Sequence, residues 1–150
     1  MLFVKISTIT GQNKNSSRLR MSSAGTEGAK VKKTFSSSLD TADRDHTQKE
    51  LMEMVEKIKA AGNKLKSAAT EQNIKEYKGL VKEYLTYVLR NFHKLRHDRS
   101  VNYSTVYTRV EIINQEVEEL TQRLLAQEKG NIDIVAEVDK IAGLIIDVFS

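Results

Sequence analysis

Two histidines, His93 and His97, stand four residues apart in the segment LRNFHKLRHDRS (89–100). Four residues are about one turn of an α-helix, and this spacing can present two ligands to a metal ion. A metal site needs a third ligand, and His46 is the candidate. It begins the preceding predicted helix, and in an antiparallel hairpin that helix end lies near the end of the helix that carries His93 and His97. Four basic side chains surround the pair: Arg90, Lys94, Arg96 and Arg99. Because their charge disfavours a divalent cation, the sequence predicts no metal site.

The helical phase of this segment turns both histidines away from the apolar face. Val88, Phe92 and Leu95 centre that face, and His93 and His97 lie about 135° and 175° from its centre. Two interpretations remain. Basic side chains at a helix C-terminus complement the helix dipole and can simply be solvated. Alternatively, they bind an anionic partner: nucleic acid, a phosphate ligand or an acidic protein face. We call this candidate surface the 90–99 cluster; it comprises Arg90, His93, Lys94, Arg96, His97 and Arg99.

The residue types of common catalytic centres are missing or poorly spaced. The chain has no cysteine, which excludes thiol nucleophiles, disulfides and thiolate zinc sites. No glutamate stands three residues before a histidine, as di-metal carboxylate bundles require. Glu116, Glu118 and Glu119 flank an apolar seam and are typical of a solvated acidic edge rather than of general acid–base chemistry. The sequence therefore predicts a non-enzymatic protein without a cofactor.

The positive charge is concentrated near the start of the chain. The formal net charge is +4, but residues 1–44 carry eight basic and three acidic residues, a net of +5, which leaves residues 45–150 at −1. Residues 11–44 are rich in Ser, Gly, Asn, Thr and Lys, and their few large apolar side chains cannot offset the entropy of ordering. We expect a flexible basic arm over 1–44 and a folded domain over 45–150.

No stretch has the apolar length of a membrane-spanning helix, since no run of 18 apolar residues exists. The first residues, MLFVKISTITGQ, contain only three consecutive apolar residues after Met1, too few for the core of a signal peptide. We expect no membrane association and a cytoplasmic location.

Hydrophobic periodicity predicts four helices in the folded domain. Thr47 followed by Glu50 fits a capping box at the start of the first, and Asn73 marks the start of the second. The fourth, within 132–150, has apolar residues over about 200° of its surface, which indicates the most buried helix or one that also faces another chain. The third has a heptad seam with spacings of four and three: Val106, Val110, Ile113, Val117, Leu120 and Leu124. The predicted fold is all-α, an antiparallel four-helix up-and-down bundle with a flexible N-terminal arm.

The segments YKGLVKEYLTYV (77–88) and IINQEVEELTQRLLAQEKGNIDIVAEVDKIAGLIIDVFS (112–150), with the basic stretch between them, resemble the YaaR-like family, a bacterial family of unknown function. The resemblance covers about residues 51–149. It is most specific at Leu80-Val81-Lys82, at Glu119-Leu120-Thr121 and at Gly143-Leu144-Ile145-Ile146-Asp147. It implies an all-helical bundle after a variable, polar N-terminal arm. It supplies no reaction, cofactor or catalytic residue.

Two functions fit these observations. The first is a non-enzymatic helical bundle that binds another protein or regulates it, with a homodimer as one form that this binding could take. The second is a nucleic-acid-binding protein that uses the basic arm and the 90–99 cluster, with steeply salt-dependent binding.

Overall fold

The computed structural model describes the backbone of residues 2–127 and 129–150 and the side chains of residues 34–127 and 130–150. Over this described backbone the protein is all-helical, which confirms the predicted class. Short 3₁₀ turns lie at Lys129–Asn131 and Asp147–Phe149. The five α-helices of the described backbone are α1 (Leu2–Ser67), α2 (Glu71–Arg90), α3 (Phe92–Leu95), α4 (Tyr103–Leu125) and α5 (Ile134–Ile146).

The chain divides into two units, residues 1–42 and 43–150. In the first unit, the side chains of residues 34–42 are exposed. The Thr41 hydroxyl donates a hydrogen bond to the Ser37 carbonyl oxygen, 2.9 Å away along the helix. The side chains of most of the predicted basic arm, residues 1–44, lie outside the described residues. The division into a flexible arm and a folded domain therefore stays a prediction.

Helix α1 does not begin at Thr47, so the capping-box prediction was wrong. The helix continues through this buried residue, whose hydroxyl donates a hydrogen bond to the Asp43 carbonyl oxygen at 2.8 Å. A threonine that bonds the carbonyl four residues earlier lies within a helix and does not cap it. At the next helix, the Thr70 hydroxyl oxygen accepts a hydrogen bond from the Asn73 backbone N–H at 3.2 Å. Helix α2 therefore begins at Glu71, before the predicted start.

The predicted second helix is interrupted at Asn91. The backbone there (φ −110°, ψ 23°) leaves the helical region, and its side-chain amide donates a hydrogen bond to the Tyr87 carbonyl oxygen at 3.0 Å. Asparagine favours such local bonds over a continued helix. Helix α3 then makes a single turn and ends before Arg96, which is extended (ψ 131°). The 90–99 cluster therefore spans a helix end, a short helix and a loop, and the helical-phase argument does not apply to His97.

The core of residues 43–150 is built from apolar side chains of α1, α2, α4 and α5. All six residues of the predicted α4 seam are buried, as the heptad spacing indicated. The wide apolar surface of α5 is divided. Ile141 and Ile145 are in the core, whereas Val135 and Ile146 are 50% and 64% exposed. Part of this surface therefore packs inside the protein and part meets solvent.

Polar contacts join the neighbouring helices around this core. They are Tyr87 Oη to the Thr47 carbonyl oxygen (3.3 Å, α2 to α1), Lys78 to Glu118 (3.2 Å, α2 to α4), Lys140 to Glu116 (3.1 Å, α5 to α4) and Lys66 to Asp139 (2.6 Å, α1 to α5). No helix in the described part of the chain combines the length and apolar character needed to cross a membrane.

Candidate functional site

The break at Asn91 and the loop after α3 gather basic side chains around one cavity. It has a volume of about 350 Å³, and we call it the cationic cavity. Four members of the 90–99 cluster line it, together with one residue of α1 and one acidic residue of the loop: His93, Arg96, His97, Arg99, Arg44 and Asp98. The structure thus brings together side chains that are about fifty residues apart in sequence.

The other two members of the 90–99 cluster lie elsewhere. Arg90 lines a separate groove with Met54 and Tyr87. The ammonium group of Lys94 lies 2.8 Å from a carboxylate oxygen of Asp43. One cation of the cluster is therefore directed away from the cavity, and another is already paired.

Neighbouring side chains position the lining residues. The Gln48 side-chain amide lies 3.2 Å from His97 Nε2 and 3.5 Å from Nδ1, which ties the loop to α1. The Arg96 guanidinium carbon lies 5.5 Å from the centre of the Phe92 ring, within the range of cation–π attraction. The His93 ring meets the same Phe92 ring edge-on at 5.3 Å. His93 and His97 are both exposed, as predicted.

The cavity carries excess positive charge. Its single carboxylate among the described lining residues, Asp98, accepts a hydrogen bond from the Ser100 backbone N–H at 2.9 Å. Hydrogen bonds from Ser100 lower the pKa of the Asp98 carboxyl below its usual value, so Asp98 is ionised at neutral pH. Three arginines against this one carboxylate leave a net charge of +2 even when both histidines are neutral. Such a surface attracts anions.

Sequence reasoning missed Arg44, because it placed this residue at the end of the flexible arm. Arg44 lies in the unit formed by residues 43–150, one helical turn before Gln48 of α1. The chain contains no proline. That absence was the available signal that α1 continues upstream of the apparent cap at Thr47.

The metal interpretation gains no support from the described geometry. His46, the candidate third ligand, has its Nε2 3.1 Å from a carboxylate oxygen of Glu50. Among the described residues, no group of three or more His, Asp or Glu side chains is placed to hold a metal ion.

A second polar group links α1 and α2. The Tyr87 hydroxyl donates a hydrogen bond to the Glu50 carboxylate at 2.6 Å and lies 3.3 Å from the Thr47 carbonyl oxygen. Burial, together with the hydrogen bond to Glu50, raises the pKa of Tyr87 to about 12. The phenol therefore stays protonated at neutral pH. It is suited to a structural hydrogen bond and is a poor base or nucleophile.

A larger groove, of about 430 Å³, lies between α4 and the end of the chain. Ile112, Leu144 and Asp147 are among its lining residues. At its edge, the Arg109 guanidinium donates hydrogen bonds to the carbonyl oxygens of Val148 (3.1 Å) and Ser150 (2.5 Å). This arginine therefore fastens the last 3₁₀ turn to α4 and is not available as a free cation.

The fold and this site define an all-helical protein with a cationic cavity formed by α1, α3 and the following loop. Comparison with known proteins shows which family it represents. A family model described as "Protein of unknown function (DUF327)" matches residues 6–149, and the chain belongs to this family. This confirms the predicted resemblance to YaaR-like proteins.

Two relatives illustrate the similarity. The uncharacterized protein YaaR of Bacillus subtilis (strain 168) is 23% identical over 127 residues, which cover 81% of this chain and 86% of YaaR. The crystal structure of protein TM1646 from Thermotoga maritima, of the same family, is similar with a TM-score of 0.65 at 28% identity. That match covers 77% of this chain and 97% of the Thermotoga chain. These relatives indicate no enzymatic family.

Proposed function

We propose that this protein is a non-enzymatic helical bundle that binds an acidic protein partner through the cationic cavity. The observation that carries the proposal is one cavity that gathers Arg44 of α1 with Arg96 and Arg99 of the loop after α3. A single carboxylate is found among its described lining residues. Guanidinium groups form paired hydrogen bonds with carboxylates, which suits a partner rich in Asp and Glu.

We further propose that residues 43–150 form the antiparallel four-helix bundle expected from the sequence, with α3 as an appendage of α2. The contacts between helices support this arrangement. Thr47 of α1 lies beside Tyr87 of α2, and Gly62 of α1 lies beside Tyr77 of α2. Residue numbers rise along α1 as they fall along α2, so the two helices are antiparallel. The contacts of α2 with α4, of α4 with α5 and of α5 with α1 supply the remaining sides of the bundle.

The proposal of a non-enzymatic protein is supported by the hydrogen bonds and ionisation of the polar side chains that could otherwise act in catalysis. The Tyr87 phenol is held protonated against Glu50, and His46 is engaged by the same glutamate. The cationic cavity contains arginines, histidines and an ionised aspartate, but its described lining residues include no hydroxyl or thiol nucleophile. This composition favours binding of an anion over covalent catalysis.

A binding experiment tests the proposal. A fluorescein-labelled peptide rich in Asp and Glu is titrated with the full chain at low salt, and anisotropy is recorded. We expect the triple variant Arg44→Ala/Arg96→Ala/Arg99→Ala to bind about tenfold more weakly or worse. Arg90→Ala is the control, because it removes one arginine charge outside the cavity. Equal binding by the triple variant and the wild type would contradict the proposal.

Nucleic-acid binding is a second candidate, favoured by a pair of exposed aromatic rings. Tyr103 and Tyr107 are 47% and 46% exposed, and their ring centres lie 6.2 Å apart. Exposed aromatic rings near basic side chains can stack on unpaired bases. A labelled single-stranded oligonucleotide tests this at about 50 mM salt, where phosphate contacts are strong. Retention that Tyr103→Ala/Tyr107→Ala abolishes would favour this candidate, whereas no retention would remove it.

A further inference from the structure

The cationic cavity concentrates three guanidinium groups that have no acidic partner among the described residues. Among the residues that the structure describes, Arg44, Arg96 and Arg99 form no ion pair within 4.0 Å. Lys94 on the adjacent turn is paired with Asp43, and the carboxylate of Asp98 is turned to the backbone N–H of Ser100. These three arginine charges of the cavity are therefore left without a direct ion-pair partner among the described residues.

We propose that the cationic cavity recognises a phosphomonoester dianion, either on a phosphorylated side chain of the partner or as free phosphate. This rests on the proposed function and specifies the anion. A phosphomonoester carries about −1.5 to −2 charge at neutral pH and three acceptor oxygens. A single carboxylate or a phosphodiester carries one negative charge. The three arginines and Asp98 of the lining sum to a charge of +2, which matches the dianion and leaves a carboxylate complex undercompensated.

The distribution of donors supports a tetrahedral anion. Arg44 approaches from α1, whereas Arg96 and Arg99 come from the loop after α3. One guanidinium group can donate two parallel hydrogen bonds to both oxygens of a planar carboxylate. The terminal oxygens of a phosphate point in several directions and can accept hydrogen bonds from donors on different sides.

Contacts with neighbouring residues already restrain two of the lining side chains, His97 and Arg96. Gln48 holds the ring of His97, and Phe92 supports the Arg96 guanidinium. A donor that is held in place before binding loses less rotational freedom when the ligand arrives. The volume of about 350 Å³ falls at the lower end of ligand pockets, which span roughly 300–1,000 Å³. The cavity can therefore admit a phosphate together with the atoms that carry it.

Calorimetric titration of the full chain tests the inference with three peptides of one acidic sequence. They differ at a single position, which is phosphoserine, glutamate or serine. We expect the phosphoserine peptide to bind about tenfold more tightly than the glutamate peptide, because only the former presents a dianion. Equal affinities of these two would overturn the phosphate assignment and leave the proposed function intact. Binding of none of the peptides would overturn both.

Inorganic phosphate, titrated alone, distinguishes the sources of the dianion. An affinity within about tenfold of that of the phosphoserine peptide identifies free phosphate as a sufficient ligand. A much weaker affinity identifies the phosphorylated side chain. Either result supports the assignment, provided that the phosphoserine peptide binds more tightly than the glutamate peptide.

Variants show whether the cavity is the site. Arg99→Ala is expected to weaken phosphoserine binding about tenfold. Arg99→Lys should weaken it by a smaller factor, because lysine keeps the positive charge but cannot donate two parallel hydrogen bonds to the phosphate. Asp98→Asn keeps an acceptor for Ser100 but removes the negative charge, so affinity should rise about threefold or more. Arg90→Ala should change little. Unaltered binding by both Arg99→Ala and Asp98→Asn, with unchanged circular dichroism, would overturn the inference.

Discussion

The hydroxyl of Tyr84 donates a hydrogen bond to the carbonyl oxygen of Ile145, 3.0 Å away in the core. Ile145 belongs to the last turn of α5, where carbonyl groups lack partners within the helix. Tyr84 of α2 therefore supplies a hydrogen-bond donor to a carbonyl group in the last turn of α5. Burial raises the pKa of this phenol well above its usual value, so it remains a donor throughout the ordinary pH range.

Tyr84→Phe tests this contact. Removal of the hydroxyl leaves the buried carbonyl of Ile145 unsatisfied, and we expect the free energy of unfolding to fall by about 1–2 kcal/mol. Urea denaturation followed by circular dichroism measures the change. Tyr107→Phe is the matched control, because that side chain is half exposed, and it should stay within about 0.5 kcal/mol of the wild type. Equal effects of the two substitutions would show that the Tyr84 hydrogen bond contributes no stability.

Two helical glycines should respond differently to alanine. At Gly79 an added Cβ meets no atom within 4 Å, so Gly79→Ala should stabilise the protein by about 0.5–1 kcal/mol through helix propensity. At Gly62 the Cβ would lie 3.0 Å from Val138 Cγ1 and 3.5 Å from Tyr77 Cε1. That crowding between α1 and α5 should cancel the gain. Thermal unfolding of both variants compares them, and equal stabilisation would refute close packing at Gly62.

The ion pairs of Glu118 predict a loss of stability in acid. Hydrogen bonds from Lys82 and Lys78 lower the pKa of the Glu118 carboxyl in the folded protein. The stabilisation is therefore present above the unfolded pKa of about 4.3 and disappears as the pH falls through the lower, folded value. Because these pairs lie at the surface, Glu118→Gln should cost about 0.5–1 kcal/mol at pH 7 and almost nothing at pH 2.

Urea denaturation at several pH values measures this difference. Glu111→Gln on the same helix is the control, since no ion pair of Glu111 is found among the described residues. A pH-independent difference between Glu118→Gln and the wild type would mean that packing, and not charge, is responsible.

The pairing of Lys94 predicts a ranking among the basic residues. Lys94 is engaged by Asp43, whereas Arg99 lines the cavity without an ion pair among the described residues. We expect Lys94→Ala to weaken binding of the acidic peptide by about twofold, and Arg99→Ala by about fivefold or more. Anisotropy titrations under one salt condition compare the two. A larger effect at Lys94 would place the binding surface outside the cavity.

Much of the fold followed from local patterns. The heptad spacing from Val106 to Leu124 identified a buried helix face, because a period near 3.5 residues places these side chains on one side of any helix. The helix starts were less predictable. Thr47, followed by Glu50, has the residue pattern of a helix cap. No helix-breaking residue stands directly before Thr47, so α1 continues through it.

The sequence by itself determined the all-helical class, the absence of thiol chemistry and the exposure of His93. These depend on composition and on periodicity along the chain, which are local properties. Tertiary structure decided which cations act together. The break at Asn91 separates Arg90 from the loop, and packing of α1 beside α2 brings Arg44 to the cavity and Asp43 to Lys94. Such juxtapositions depend on contacts between distant segments, so no spacing in the sequence reveals them.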